Sequence, residues 1–318
     1  MAVHILILIV GLLLVVFGAN FLIEGASSIA RREGISEFVI GLTIVGIGTS
    51  LPEMVVSFIG AFEGNSDVSV GNIVGSNIYN VLLILGIISL IHPIGITKDN
   101  LKRDIPLNLG ITILLILLGF NGTLFRLGSN ALSRIDGSIF LVLFALYLYN
   151  SFKKPNTDLE SASGAPIMKT FPAILAVVCG LAGLVAGGKL FMGSAENIAR
   201  MLGISDKFIA ITILAGGTSL PELATSVVAA AKNKDQMALG NIIGSTTSNV
   251  LLILGGSALI CPLSMASMNF IDMGVFLLSS ILLFTCAFTG KKMSLDRFDG
   301  IIFLLLFAAY MRYLIINL

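Results

Sequence analysis

The sequence predicts an all-α membrane protein of ten transmembrane helices, arranged as two inverted repeats of five helices each. Composition is the first observation: 56% of the 318 residues are hydrophobic and 12% are charged, whereas soluble domains carry about 25% charged residues. The second observation is a set of ten apolar runs, close to the length of about 20 residues that crosses a bilayer. The third is an internal duplication that relates the two halves of the chain.

The ten apolar runs end where charges and turn residues cluster. The first five lie at residues 4–30, 37–61, 68–91, 104–120 and 135–151, and the second five at 170–199, 206–230, 236–260, 268–289 and 298–316. The polar segment 153–169 contains two prolines and several Ser, Gly and Asn residues, which predicts a linker. The predicted units are therefore a first repeat at 1–152, the linker at 153–169 and a second repeat at 170–318.

The duplication is visible in three motifs. Gly-Thr-Ser-Leu-Pro-Glu at 48–53 recurs at 217–222, Gly-Asn-Ile at 71–73 recurs at 240–242, and Val-Leu-Leu-Ile-Leu-Gly at 81–86 recurs at 250–255. Each copy follows its counterpart by 169 positions, so no insertion separates the motifs. The chain is therefore a duplication of one membrane unit.

The distribution of basic residues predicts the orientation. An odd number of crossings per repeat makes the second copy run through the bilayer opposite to the first. Loops after helices 1, 3, 5, 7 and 9 carry thirteen Lys and Arg residues, and the opposite loops carry five. The positive-inside rule then predicts a cytoplasmic linker and external termini, and we expect the plasma (inner) membrane. Inverted repeats with interrupted helices are typical of secondary transporters, whose substrate site lies near the midplane.

Each hexamer places polar groups inside an apolar run. Thr49 and Glu53 are four residues apart and share a helix face, as do Thr218 and Glu222. The proline of each hexamer lacks an N–H, so backbone oxygens at 46–49 and 215–218 are expected to lose their helical partners. Carboxylates within the membrane are functional candidates.

The following helix of each repeat adds a second polar face. Ser76 and Asn80 are four residues apart, as are Ser245 and Asn249. These side chains either add ion ligands or join helices by hydrogen bonds. With the hexamers they form a set of hard oxygen donors, which suits Ca²⁺ or Na⁺ and not a soft transition metal. Two carboxylates balance one Ca²⁺, and their repulsion in a cation-free site disfavours return of the empty carrier.

At these residues the chain resembles the cation/Ca²⁺ exchanger superfamily, in particular its prokaryotic Na⁺/Ca²⁺ exchanger branch. The resemblance rests on both hexamers, both Gly-Asn-Ile motifs with the Gly-Ser that follows, the helix count and the central linker. It implies that Glu53 and Glu222 hold the central Ca²⁺, and that helices 1 and 6 slide as a pair over the other eight. It also implies that the Ca²⁺ and flanking Na⁺ sites are completed by Thr49, Ser50, Ser76, Thr218, Ser219, Ser245 and the backbone oxygens of Gly46 and Ala215.

One position departs from this resemblance. Several Na⁺/Ca²⁺ exchangers and the K⁺-dependent branch place an acidic residue where this chain has Asn249. Paired amides at Asn80 and Asn249 argue against K⁺ cotransport and resemble the H⁺/Ca²⁺ branch. That branch carries a Gly-Asn-x-x-Glu motif in place of the hexamer, so the hexamer favours Na⁺ coupling.

The predicted function is therefore Na⁺/Ca²⁺ antiport, with H⁺/Ca²⁺ antiport as the alternative. A Ca²⁺-permeable channel is a further alternative, although a channel is expected to arrange identical subunits around a pore. No nucleophile with a base and no His-rich metal site is visible, so the sequence does not predict an enzyme. The expected partners are Ca²⁺, Na⁺ and the lipid bilayer, without nucleic acid, nucleotide or cofactor.

Overall fold

The computed structural model describes residues 1–126, 129–153, 168–203, 215–266, 268–289 and 293–317. The helices of the first half are α1 (Ala2–Glu33), α2 (Glu37–Thr49), α3 (Leu51–Phe62), α4 (Ser66–Ile91), α5 (Ile105–Gly119), α6 (Asn121–Phe125) and α7 (Arg134–Lys153). Those of the second half are α8 (Thr170–Met201), α9 (Ala215–Gly217), α10 (Leu220–Ala231), α11 (Asp235–Ile260), α12 (Phe270–Thr289) and α13 (Arg297–Ile316).

The described helices agree with the predicted runs in position. Seven of them are long and apolar enough to span a membrane, or eight if α2 and α3, which meet at a 50° bend, form one span. Helix α5 has 15 residues and α10 has 12, and both are shorter than a full span. Most of the predicted linker and the start of the predicted run 206–230 lie outside the described residues. The count of ten spans therefore stays a prediction.

Helices α4 and α11 lie at the centre of the molecule. In their apolar windows 78% and 83% of residues are buried, against 28% in α1, 39% in α8 and 22% in α13. Both central helices contain a π-helical segment, Tyr79–Ile84 in α4 and Asn249–Leu254 in α11. Asn80 and Asn249 occupy equivalent positions of the two repeats and lie in these two segments. Because π-helical turns often occur at functional sites, both residues are candidates for a functional role.

Helices α1 and α8 pack against each other at glycines. A Cβ atom on Gly18 would lie 2.8 Å from the carbonyl oxygen of Gly180, and one on Gly11 would lie 2.9 Å from that of Gly187. The contacts pair early residues of α1 with late residues of α8, so the two helices are antiparallel. The 169-residue offset exchanges these two contacts, as inverted repeats require. Small residues permit such close approach between membrane helices.

Four short strands join the halves and were not predicted. Strand β1 (Ile94–Gly95) pairs antiparallel with β4 (Ser294–Leu295), and β2 (Ala131–Leu132) pairs antiparallel with β3 (Leu263–Ser264). Two residues are too few to show the alternation of apolar and polar positions that predicts a strand. Each pair therefore depends on tertiary structure alone.

Candidate ion-binding site

Two helix breaks at equivalent positions organise the site. Ser50 separates α2 from α3 with φ −80° and ψ 9°, and Ser219 precedes α10 with φ −86° and ψ 4°. A proline follows in the first turn of each new helix, where its missing N–H costs no hydrogen bond. Each hexamer therefore ends one helical segment and starts another.

The expectation that backbone oxygens at these breaks lose their helical partners is wrong at Gly46. The Gly46 carbonyl oxygen keeps a helical partner, because it accepts a hydrogen bond from the Ser50 N–H at 3.2 Å. It also accepts from the hydroxyls of Thr49, at 3.3 Å, and Ser245, at 3.1 Å. In a helix the N–H of residue 52 would pair with the Gly48 carbonyl, so its absence in Pro52 does not affect Gly46.

Glu53 and Glu222 occupy the first turns of α3 and α10 and are both fully buried. They are close enough to interact electrostatically. The positive end of a helix dipole and the free N–H groups of a first turn favour a carboxylate at these positions. The two breaks therefore bring one carboxylate from each half of the chain to a common region.

Hydrogen bonds to these carboxylates cross between the halves. Ser50 Oγ donates to Glu222 Oε1 at 3.0 Å, and the Thr49 hydroxyl also interacts with Glu222. In the other direction, the Thr218 hydroxyl interacts with Glu53. Ser76 Oγ of α4 donates to Glu53 Oε1 at 3.3 Å. The halves thus build a single site, with each glutamate held partly by the other half.

Several buried oxygen atoms at this site have no hydrogen-bond partner among the described residues. They are Glu53 Oε2, Glu222 Oε2, Asn80 Oδ1, Asn249 Oδ1 and Ser219 Oγ. Most buried polar groups in proteins are hydrogen-bonded, and leaving one unpaired costs about 1–3 kcal/mol. Carboxylate, amide and hydroxyl oxygens are the ligands that Ca²⁺ and other hard cations prefer. The donor set therefore fits a cation without nitrogen or sulfur ligands.

The structure places all twelve sequence-predicted site residues on the two breaks and the two central helices. Gly46, Thr49 and Ser50 lie at the end of α2 with Glu53 beyond the break, and Ser76 and Asn80 lie in α4. In the second half Ala215 begins α9, and Thr218, Ser219 and Glu222 follow, with Ser245 and Asn249 in α11. The Ala215 side chain lies outside the described residues.

The alternative of interhelical hydrogen bonding also has support. Ser76 reaches α3, Ser245 reaches α2, and Asn249 Nδ2 donates to Asn77 Oδ1 of α4 at 2.9 Å. Asn80 forms no such bond to a described residue, because neither of its amide atoms has a partner. Hydroxyl and amide groups of this kind can join helices and still leave an oxygen free for an ion.

Sequence reasoning missed Asn72 and Asn241. Asn72 Nδ2 donates to the Glu53 carbonyl oxygen and to Ser57 Oγ, both at 3.1 Å. Asn241 Nδ2 donates to the Glu222 carbonyl oxygen at 3.3 Å and to Ser226 Oγ at 2.8 Å. Each asparagine thus holds the backbone of the glutamate in its own half. Their presence in the duplicated Gly-Asn-Ile motif was the available signal.

Two other acidic residues in apolar runs lie outside this site. Glu24 forms an ion pair with Lys232 at 2.8 Å, and Glu196 forms one with Arg200 at 3.0 Å. Both pairs lie near helix ends and are partly exposed. Glu24 and Glu196 thus form ion pairs with basic side chains and do not belong to the candidate site.

Comparison with known proteins gives the family. The family model for the sodium/calcium exchanger protein matches residues 3–153 and 172–316. CaxA of Alkalimonas amylolytica is 39% identical over 327 residues, covering 100% of each chain. Sodium/calcium exchanger MaX1 of Methanosarcina acetivorans is 33% identical over 344 residues, covering 97% of each chain. A solved structure of the sodium-calcium exchanger NCX_Mj, soaked with zero Na⁺ and Ca²⁺, has a TM-score of 0.85 and 33% identity, covering 98% of this chain and 99% of that chain.

The fold, the buried carboxylates and these similarities define a class of protein: a multi-pass integral membrane transporter that performs cation/Ca²⁺ antiport, and not an enzyme. The chain belongs to the sodium/calcium exchanger protein family, in the prokaryotic branch of the cation/Ca²⁺ exchanger superfamily.

Proposed function

We propose that this chain exchanges Na⁺ for Ca²⁺ by alternating access, with both ions competing for a site built on Glu53 and Glu222. The observation that carries the proposal is the pair of fully buried glutamates, one from each half, each with one unpartnered oxygen. One Ca²⁺ or two Na⁺ neutralise two carboxylates, whereas three Na⁺ leave one extra positive charge. Because uncompensated buried charges are costly, the cation-free carrier is disfavoured and ion movement is coupled.

The proposed ligands extend the carboxylate pair with neutral oxygens. Thr49, Ser50 and Gly46 would contribute from the first break, and Thr218, Ser219 and Ala215 from the second. Ser76 and Asn80 would contribute from α4, and Ser245 and Asn249 from α11. Contact of several of these groups with a glutamate of the other half supports this assignment. A hydroxyl that donates to a carboxylate can turn its oxygen lone pairs to a bound cation.

The proposed architecture has ten transmembrane helices in two inverted units, 1–152 and 170–318. The exchange of equivalent glycine contacts between α1 and α8 supports the inversion. These two helices have largely unburied apolar windows and pack mainly on each other, which suits a pair that slides over the remainder. The linker would be cytoplasmic and the termini external, in the plasma membrane.

Two observations favour Na⁺ over H⁺ as the coupling ion. The hexamer occurs in both halves at the site, and the relatives MaX1 and NCX_Mj are named as sodium/calcium exchangers. The paired amides Asn80 and Asn249 are the observation that keeps H⁺ as the second candidate.

The test is Ca²⁺ uptake into proteoliposomes of the purified chain, driven by an outward Na⁺ gradient or, separately, by an outward proton gradient. Uptake with Na⁺ alone is expected. Uptake that requires the proton gradient and does not depend on Na⁺ would contradict Na⁺ coupling. Glu53 and Glu222 would then be the proton carriers. Uptake without either gradient, at a rate proportional to the Ca²⁺ difference, would indicate a channel.

A further inference from the structure

A chain of buried amides and hydroxyls leads from the candidate site towards α5. Asn249 Nδ2 donates to Asn77 Oδ1 at 2.9 Å, and Asn77 Nδ2 donates to the Thr246 backbone carbonyl oxygen at 3.2 Å. Asn108 Nδ2 of α5 donates to Thr246 Oγ1 at 2.7 Å. All four residues are at most 4% exposed. The proposed exchange uses only Asn249 of this set.

The Thr246 carbonyl determines the direction of these hydrogen bonds. A backbone carbonyl can only accept, so Asn77 must turn its NH₂ group towards it. The Asn77 oxygen then faces Asn249 and can likewise only accept, which requires Asn249 to donate with its NH₂ group. The amide assignments therefore follow from chemistry, because reversing either one would place two acceptors or two donors together.

This geometry leaves the Asn249 side-chain oxygen on the side away from Asn77. The atom is buried and has no hydrogen-bond partner among the described residues. Asn249 lies four residues after Ser245, whose hydroxyl contacts the Gly46 carbonyl at the first helix break. The unpartnered oxygen thus belongs to the stretch of α11 that carries the candidate site.

Asn80, the counterpart of Asn249 in the first half, is not held by a hydrogen bond of this kind to any described residue. By the 169-residue offset, Thr246 corresponds to Asn77 and Asn80 corresponds to Asn249. The Thr246 hydroxyl hydrogen bonds the Ile242 and Ile243 carbonyl oxygens, at 3.0 and 3.1 Å, and accepts from Asn108. Neither amide atom of Asn80 has a described partner. The orientation of Asn249 is therefore determined by hydrogen bonds, whereas that of Asn80 is not.

We propose that Asn77 is a positioning residue that presents the Asn249 side-chain oxygen to a cation bound at Glu53 and Glu222. This inference rests on the proposed function. An amide oxygen attracts a cation and an amide NH₂ repels it, so only one orientation of Asn249 favours binding. Apparent affinity is proportional to the fraction of molecules in the competent orientation. Asn77 raises that fraction without contacting the ion itself.

Two substitutions of Asn77, by Thr and by Val, test the proposal in the purified full chain, with Ca²⁺ titrated in Na⁺-free buffer. The two new side chains have nearly the same shape. N77T introduces a hydroxyl that can donate to the Thr246 carbonyl and accept from Asn249, and its Ca²⁺ affinity is expected within twofold of wild type. N77V has the same shape without the hydroxyl, and Ca²⁺ affinity is expected to fall about fivefold, as for loss of one ordinary hydrogen bond. Equal affinities of N77T and N77V would overturn the proposal.

A matched control separates orientation from packing. N108A removes another buried amide of the same network, whose NH₂ group donates to the Thr246 hydroxyl and not to Asn249. It is expected to lower thermal stability with Ca²⁺ affinity within twofold of wild type. A loss of affinity in N108A as large as in N77V would overturn the proposal.

A double-mutant cycle gives a readout that a purely structural effect would not change. In N249D the carboxylate presents an oxygen in either orientation, so adding N77V should weaken Ca²⁺ binding by less than twofold. A fivefold loss in both backgrounds would show that Asn77 acts on packing and would overturn the proposal. E222Q measured in parallel tests the proposed function separately, because unaltered Ca²⁺ binding there would reject the glutamate site whatever Asn77 does.

Discussion

At the scale of single residues, the site depends on two carboxylates in surroundings that do not solvate them. Glu53 and Glu222 are fully buried, and each has one oxygen with a described donor and one without. Buried charges persist only where they are paired or bind a cation. A bound cation or added protons would neutralise this pair, and the charge of −2 favours a divalent cation in the proposed site.

Replacing either glutamate by glutamine should abolish Ca²⁺ transport. E53Q and E222Q each remove one of two negative charges, while the neutral amide costs less to bury than the carboxylate, so folding is expected to persist. Uptake of ⁴⁵Ca²⁺ into proteoliposomes and thermal unfolding of the purified variants are the measurements. E63Q, which changes an exposed glutamate next to α3, is the control and should transport normally. Near wild-type exchange by E53Q or E222Q would remove that residue from the site.

At the scale of elements, close packing of α1 on α8 is the feature most sensitive to small changes. A Cβ on Gly18 or Gly180 would approach backbone atoms of the other helix at 2.8 and 2.6 Å, distances that neither backbone can accept without a shift. The offset-related glycines, Gly187 and Gly11, show the same crowding, since an added Cβ would lie 2.8 and 2.6 Å from backbone atoms of the other helix. This interface therefore requires glycine for space and not for backbone conformation.

Adding a methyl group at this interface should be destabilising. G18A and G180A are each expected to cost about 1–3 kcal/mol, the usual range for overpacking, and to reduce the exchange rate if the two helices move together. G188A in α8 is the matched control, since no described atom lies within 4 Å of its added Cβ. Thermal unfolding in detergent and ⁴⁵Ca²⁺ uptake provide the comparison. Equal stability of all three variants would contradict the close contact.

At the scale of the whole molecule, an ion pair breaks the symmetry of the repeats. Glu24 of α1 pairs with Lys232 at the end of α10, and Lys234 hydrogen bonds the Ser27 hydroxyl of α1. Burial lowers the pKa of Lys234 from its ordinary value, so its charge is held at some cost. The positions equivalent to Glu24 and Lys232 in the other repeat are Gly193 and Glu63, which have no such complementarity. Among the described residues, this ion pair joins α1 to the end of α10 without a counterpart at the offset-related positions.

Removing the Glu24–Lys232 ion pair should alter the exchange rate. The pair is partly exposed, at 49% for Glu24 and 29% for Lys232, so it contributes about 0–1 kcal/mol, or up to about a fivefold change in the population of states. E24Q and K232Q are expected to change the Na⁺-driven uptake rate in the same direction, and the charge-swapped E24K/K232E variant to return towards wild type. The difference should shrink at high ionic strength. If the charge-swapped variant does not return towards the wild-type uptake rate, and the effects of E24Q and K232Q do not depend on ionic strength, charge pairing does not cause the change in rate.

The sequence alone determined the class of this protein and most helix positions, and it predicted the residues of the candidate site. These features depend on local information: apolar runs mark membrane helices, prolines mark the helix breaks, and a carboxylate in an apolar run marks a functional position. The duplication was readable because equivalent residues keep one constant offset. The same information predicted that Glu53 and Glu222 are functional positions, and their role as cation ligands stays a proposal.

Only the tertiary structure decided which groups meet. Ser50 donates to Glu222 and Asn249 to Asn77 across 172 positions of the chain in each case. The sequence likewise did not show the short strands or the retained partner of the Gly46 carbonyl. The duplicated Gly-Asn-Ile motif marked Asn72 and Asn241, but not the glutamate backbone that each one holds. Linear spacing places residues on a helix face, but the pairing of donors with acceptors between helices is selected by packing, since each buried polar atom must find a partner within about 3 Å.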